Sequence, residues 1–259
     1  MKIHSEVRGA GPLLLLSQSG EGDADRSVDL VDELVSDFTV VTYDRRGLTR
    51  SAHDGPVTLR EHAADVHRLL ADLTDQPVTM VGFSLGAAIG LHLAVEHPRQ
   101  LGTLIAFEPV APALLPAAER SHHLAELADI QRRYAADGLL PALREIASTL
   151  GIDPTNPGAE PDLTPQPMND QRIANFDHFI RHDLTAIMDD DLDPAAVRTS
   201  PVRIIPAAGA GTPRHVFDYR ASQELATLVG HDVVEFPGGH NGNTTHPRAY
   251  AARLRSLLG

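Results

Sequence analysis

Residues 78–97 read VTMVGFSLGAAIGLHLAVEH. An apolar run enters Gly82-Phe83-Ser84-Leu85-Gly86, and an Ala- and Leu-rich helical pattern leaves it. A strand that turns directly into a helix tolerates only small residues two positions either side of the turn. Gly82 and Gly86 occupy those positions. The apex residue, Ser84, is held in a strained conformation that lifts its hydroxyl above the sheet. The following helix points its N-terminus at the same spot, so the Leu85 N–H can stabilise a developing oxyanion. A glycine-rich turn with an incidental serine would share these five letters. The flanking strand and helix favour a serine nucleophile.

Around this segment, short apolar runs rich in β-branched residues alternate with helical patterns. The strand candidates are Lys2–Val7, Pro12–Leu16, Phe38–Tyr43, Val78–Phe83, Thr103–Phe107, Val202–Pro206 and Asp232–Phe236. Those from Phe38 onward read as buried on both faces, as parallel strands are. Residues 58–74, TLREHAADVHRLLADLT, place Leu59, Ala63, Val66, Leu69, Leu70 and Leu73 on one helical face, and Thr58 and Glu61 have capping-box spacing. The alternation predicts an α/β fold, a mainly parallel sheet flanked by helices. Residues 110–200 break the rhythm, with helical patterns near 117–136, 138–150 and 170–187 and the proline-rich GIDPTNPGAEPDLTPQP before the last. Ninety residues exceed an ordinary crossover. They predict a helical cap inserted into a core made of residues 1–109 and 201–259.

Composition excludes several classes. The 259 residues contain no cysteine, which removes disulfides, thiolate metal sites and a cysteine nucleophile. A formal net charge of -13 argues against a nucleic-acid surface. The apolar run LLLL at 13–16 is too short for a signal core or a membrane span. The chain therefore reads as a soluble cytoplasmic protein that handles small apolar molecules, with no membrane partner. Oligomeric state is not readable. His178 and His182 have helical metal-ligand spacing but no evident third ligand, and Asp189-Asp190-Asp191 lacks a calcium-loop pattern. No metal and no cofactor are expected.

The strand–elbow–helix segment, together with TYDRRGLTRS at 42–51, resembles the α/β-hydrolase superfamily over nearly the whole chain. That family commonly has D-x-R-G-x-G-x-S at the second segment, and Leu48-Thr49 replaces x-Gly here. Asp44 and Arg45 are given structural roles. The resemblance puts the general base between the last strand and the last helix, in EFPGGHNGNTTHPRAYAARLRSLL, at His240. Gly238 and Gly239 would let that loop approach closely. His246 precedes Pro247 and reads as a helix-start residue. The second oxyanion donor is expected in SQSGEGD, at Ser19, where the family usually has His-Gly nearby.

The acid is the unusual element. The stretch where the family usually carries it, IPAAGAGTPR at 205–214, has no carboxylate. The strand after the elbow ends TLIAFEPVAP, and Glu108 at its end can reach the histidine from the neighbouring strand. Asp218 is the runner-up. An acid at this alternative strand end, an acid-free Gly209–Pro213, Gly239-His240 and His246-Pro247 resemble the zearalenone lactone hydrolases within the superfamily. The resemblance implies a serine esterase or lactonase with Ser84, Glu108 and His240 as its triad, acting on a small hydrophobic ester or lactone, macrocyclic lactones of the zearalenone type included. A carbon–carbon bond hydrolase of the same fold and a receptor-like hydrolase with little turnover share these residues. Phe176, Phe179 and Met188 are candidates for the substrate wall.

Overall fold

A computed structural model describes residues 2–153, 155 and 158–259. Pro154, Asn156 and Pro157, in the proline-rich stretch, lie outside the described residues. The chain is an α/β-hydrolase fold. Seven strands form one sheet: β1 (Ser5–Arg8), β2 (Leu13–Ser17), β3 (Thr39–Tyr43), β4 (Val78–Phe83), β5 (Leu101–Phe107), β6 (Arg203–Gly209) and β7 (Val234–Phe236). Their order is β1-β3-β2-β4-β5-β6-β7, antiparallel only between β1 and β3. The expected strands all form, with ends shifted by a few residues. The sheet's edge strands, β1 and β7, begin later than the apolar pattern suggests.

Alternation along the parallel strands builds two cores. Leu14, Leu16, Val81, Phe83, Ile105, Phe107 and Ala207 face one side, where they meet Phe236 and Tyr250. Leu15, Met80, Leu104, Ala106 and Ile204 face the other. Both faces are covered, so the strands read as continuous apolar runs. The covering helices on the core are α1 (Val28–Leu34), α2 (Leu59–Leu73) and α3 (Leu85–Glu96). Thr58 caps α2 through the expected capping box with Glu61.

Between β5 and β6 the described residues form helices and connecting loops, with no strand. The helices are a short 3-10 turn at Pro112–Leu114, α4 (Ala117–Asp137), α5 (Leu139–Thr149), α6 (Asp170–His178), α7 (Leu184–Met188) and α8 (Pro194–Thr199). The sequence pattern at 170–187 reads as one helix. The structure inserts a wider π-type turn at Phe179–Asp183 between α6 and α7, a local change of period that alternating apolar positions do not reveal. The last short helix, α8, packs against α3 of the core. The chain closes with α9 (Phe217–Val229), α10 (Gly242–Thr245) and α11 (Pro247–Leu258). His246 precedes Pro247 at the start of α11, as its sequence position implies. Among the described residues no helix is long and apolar enough to cross a membrane.

The π-type turn carries Asp183, which ties the inserted helices to the core. Asp183 is fully buried, and its Oδ2 accepts from Arg45 at 2.6 Å. Its Oδ1 lies 3.1 Å from His62 Nε2 on α2. Arg45 also donates to the Gly20 carbonyl. Burial alone would raise the Asp183 carboxyl; the charges of Arg45 and His62 and the His62 hydrogen bond hold it well below the usual range. The ring of His178 sits over Gly47, whose φ of +91° admits no ordinary side chain, and a Cβ there would fall 2.0 Å from Nε2. Asp183→Ala is expected to cost about 3–5 kcal/mol, because it strands a buried guanidinium. Urea unfolding measures it; a loss under about 1 kcal/mol would show that the pair holds nothing together.

The neighbouring loop shows how the family pattern bends without breaking. Thr49 stands at the position where glycine is common, and it adopts a φ of +42°. Its hydroxyl donates to Asp23 at 2.7 Å, and its N–H donates to Asn175 at 3.1 Å. Those bonds offset the strain of a left-handed β-branched residue. Asp44 has the structural role assigned to it, accepting from the N–H groups of Ala24 and Arg50 at 2.9 and 3.0 Å.

Candidate active site

Strand order fixes where a site can form. The chain leaves β2 toward β3 on one side, and β4 lies on the other. Such a switch opens a crevice at the carboxyl ends of the two strands. Ser17 pairs with Gly82 in register, so the loop after β2 and the β4–α3 turn face one another there. Ser84 has a φ of +52°. A Cβ at Gly82 would lie 2.6 Å from the Ala87 Cα, and one at Gly86 only 2.1 Å from the Ser17 carbonyl oxygen. Both glycines are therefore required by close backbone approach.

Register carries Glu108 next to Ser84. Phe83 pairs with Phe107, and Phe107 pairs with Ala207. One residue beyond the strand ends, the Ser84 N–H donates to the Phe107 carbonyl and the Glu108 N–H to the Ala207 carbonyl, both at 2.9 Å. Glu108 is fully buried and adopts a φ of +44°. Among the described residues only Thr49, Ser84, Glu108 and Asp162 are non-glycine residues with positive φ. Strain of this kind persists where the surroundings over-determine it, and it gathers at working sites.

His240 arrives from the opposite edge. The Ala210 N–H donates to the Phe236 carbonyl and the Gly211 N–H to the Gly238 carbonyl, both at 2.8 Å, which staples the loop after β7 to the end of β6. The loop folds over Gly209 so closely that a Cβ there would lie 2.7 Å from Gly239. His240 Nδ1 lies 2.6 Å from Glu108 Oε2, and the Gly209 N–H donates to Glu108 Oε1 at 2.8 Å. The acid-free stretch thus supplies a backbone donor to the carboxylate, and it has no room at Gly209 for a side chain of its own.

Asp218, in the first turn of α9, has its carboxyl 3.8 Å from His240 Nδ1, and neither carboxyl oxygen has a hydrogen-bond partner among the described residues. Burial, opposed by His240 and helped by the charges of Glu108 and Glu126, lifts its carboxyl to about 7. For His240, burial alone would disfavour the imidazolium. The Glu108 hydrogen bond and charge, with Asp218 and Glu21 adding, raise it above the ordinary 6.5.

Ser19 lies in the loop after β2, half-buried, and its carbonyl accepts from the Gly22 N–H at 2.9 Å. Gln18 Oε1 accepts from Ser27, whose hydroxyl accepts from Asn243 on α10. That buried chain joins the loop after β2 to the helix following His240. Leu85 opens α3, so its N–H has no partner within the helix.

A cavity of ≈ 40 Å³ lies against Ser84, walled by residues that include Val110, Leu127, Leu150 and Leu184. Of the three cap candidates, Phe179 lines it. Phe176 is buried beneath the Arg172 guanidinium, and Met188 packs against the hydrophobic core. Sequence reasoning missed His123, which also lines the cavity. A signal existed, because His123, Leu127 and Ile130 are the buried residues of α4 and share one helical face.

A strained serine at a strand–helix turn, with a buried carboxylate–histidine pair at the adjoining strand ends, is the arrangement of a hydrolase of this fold. The family model for the alpha/beta hydrolase fold matches residues 12–187, and the chain belongs to that family. It is 33% identical to an uncharacterized hydrolase, YraK, of Bacillus subtilis, across 99% of this chain and 92% of that one. A thermophilic esterase from Thermogutta terrifontis superposes with a TM-score of 0.78 at 16% identity, covering 99% of this chain and 92% of that chain. An enol-lactonase from Burkholderia xenovorans superposes with a TM-score of 0.64 at 19% identity, covering 99% and 96%. The chain is a hydrolase-family protein, and these likenesses at low identity speak for its fold.

Proposed function

We propose that the protein is a cytoplasmic serine hydrolase of carboxylic esters or lactones, acting through an acyl-enzyme on Ser84. The buried 2.6 Å contact between His240 and Glu108, beside the strained serine, carries this reading. Glu108 holds the proton on His240 Nδ1, which leaves Nε2 to take the Ser84 proton as the hydroxyl oxygen attacks the carbonyl. The Leu85 and Ser19 N–H groups bind the oxyanion. His240 returns the proton to the leaving alcohol, the C–O bond breaks, and water attacks the acyl-enzyme by the same route. No cofactor enters. Glu108 as the acid is the feature shared with zearalenone lactone hydrolases, but a cavity of ≈ 40 Å³ favours a short acyl group over a macrocycle.

A pH profile of kcat/KM on p-nitrophenyl acetate tests the base. Only neutral His240 accepts a proton, so activity is full above its pKa and lost as pH falls through it. Because that pKa is raised, the acid limb is expected above pH 6.5. A limb centred below that value would remove Glu108's charge from the account.

A further inference from the structure

The cavity over Ser84 is apolar except at a few points, and two of its polar residues are left unsatisfied. His123 and Asp218 both line it, with 2% and 1% of their surfaces exposed. His123 Nδ1 lies 2.9 Å from Glu126 Oε2, so a neutral ring carries its proton on Nδ1 and presents a lone pair at Nε2. Among the described residues His123 Nε2 has no partner, and neither carboxyl oxygen of Asp218 has one. Buried polar groups are costly to leave unpaired, and two in one cavity point to a ligand atom that satisfies both. Burial, with His122 adding its charge, depresses His123 to about 3, which keeps Nε2 an acceptor at neutral pH. Asp218, lifted to about 7, holds a proton in about half of the molecules at neutral pH and can donate it there.

We infer that this cavity is an acyl site selective for a hydroxyl-bearing acyl group, the hydroxyl donating to His123 Nε2 and accepting from the Asp218 carboxyl. A hydroxyl is the one common substituent that meets an acceptor and a donor together; a ketone satisfies only Asp218, and a methylene satisfies neither. Volume sets the length. The ≈ 40 Å³ in front of Ser84, walled by apolar side chains, suits a short acyl chain. The class is a short hydroxyacyl ester of the 3-hydroxybutyryl kind. The assignment rests on Ser84 as the reacting residue.

Binding to the Ser84→Ala protein tests it without turnover. Calorimetric titration with methyl 3-hydroxybutyrate, methyl acetoacetate and methyl butyrate is expected to rank them in that order, with the hydroxy ester at least ~10-fold tighter than the butyrate. His123→Phe and Asp218→Leu, each added to Ser84→Ala, should collapse the ratio toward one. Equal affinities in Ser84→Ala overturn the inference, as does a ratio that survives either folded double variant. Absence of a fluorophosphonate adduct on the wild-type protein would instead sink Ser84 as nucleophile, a separate result read on a separate sample.

Discussion

Ser84→Ala is expected to lower kcat on p-nitrophenyl butyrate by about 10⁵–10⁶-fold and to abolish fluorophosphonate labelling. The size follows from the role. Without the hydroxyl there is no acyl-enzyme, and His240 and the oxyanion donors retain only the modest catalysis of a polar cleft. Alanine keeps the backbone unaltered in type, and Ser84 makes its ladder bond through its N–H, which alanine preserves. The variant should therefore unfold at nearly the wild-type denaturant midpoint. Residual activity above about one per cent, with contaminating esterase excluded, would mean that another group attacks the carbonyl. Absence of both turnover and labelling in the wild-type protein would instead return it to the receptor-like class.

The second large effect belongs to Glu108. Glu108→Gln is expected to reduce kcat about 10⁴-fold, with the protein still folded. The carboxylate holds two donors, His240 Nδ1 at 2.6 Å and the Gly209 N–H at 2.8 Å. A glutamine amide can keep the Gly209 bond through its oxygen. Its NH₂ then faces Nδ1 and favours the tautomer with the proton on Nε2, which cannot accept from Ser84. Asp218→Asn serves as the control. Asp218 is 3.8 Å from Nδ1, beyond hydrogen-bonding range, so its loss should cost less than about tenfold in kcat on an unsubstituted ester. If Asp218→Asn does the greater damage and Glu108→Gln is nearly silent, the acid has been misassigned.

Much of the fold could be read from residue patterns because it rests on local physics. Gly82 and Gly86 bracket a turn that nothing larger can make, and the apolar strands announce a sheet covered on both faces. Thr58 and Glu61 mark the start of α2, and Pro247 the start of α11. The patterns failed where geometry changes within an element. The π-type turn at Phe179–Asp183 keeps an apolar rhythm close to a helix's, so the residues 170–187 read as one helix. His123 was missed for a related reason. Its position on the buried face of α4 was visible, but what that face looks onto was not.

Sequence by itself determined the α/β-hydrolase class, the serine elbow and the histidine loop, because each is written within a few consecutive residues. It also made Glu108 the candidate acid, with Asp218 as runner-up, through the missing carboxylate in IPAAGAGTPR and the resemblance to a branch of the family that places its acid there. Only the tertiary structure decided how that exchange is built. The His240 loop presses its backbone onto Gly209, which excludes a side chain there, and the freed Gly209 N–H turns to hold Glu108. It also decided that Asp218 and His123, 95 positions apart by 218 − 123, share one cavity beside Ser84. Such meetings depend on strand register and on where separate helices cross, and neither is encoded in any contiguous stretch of chain.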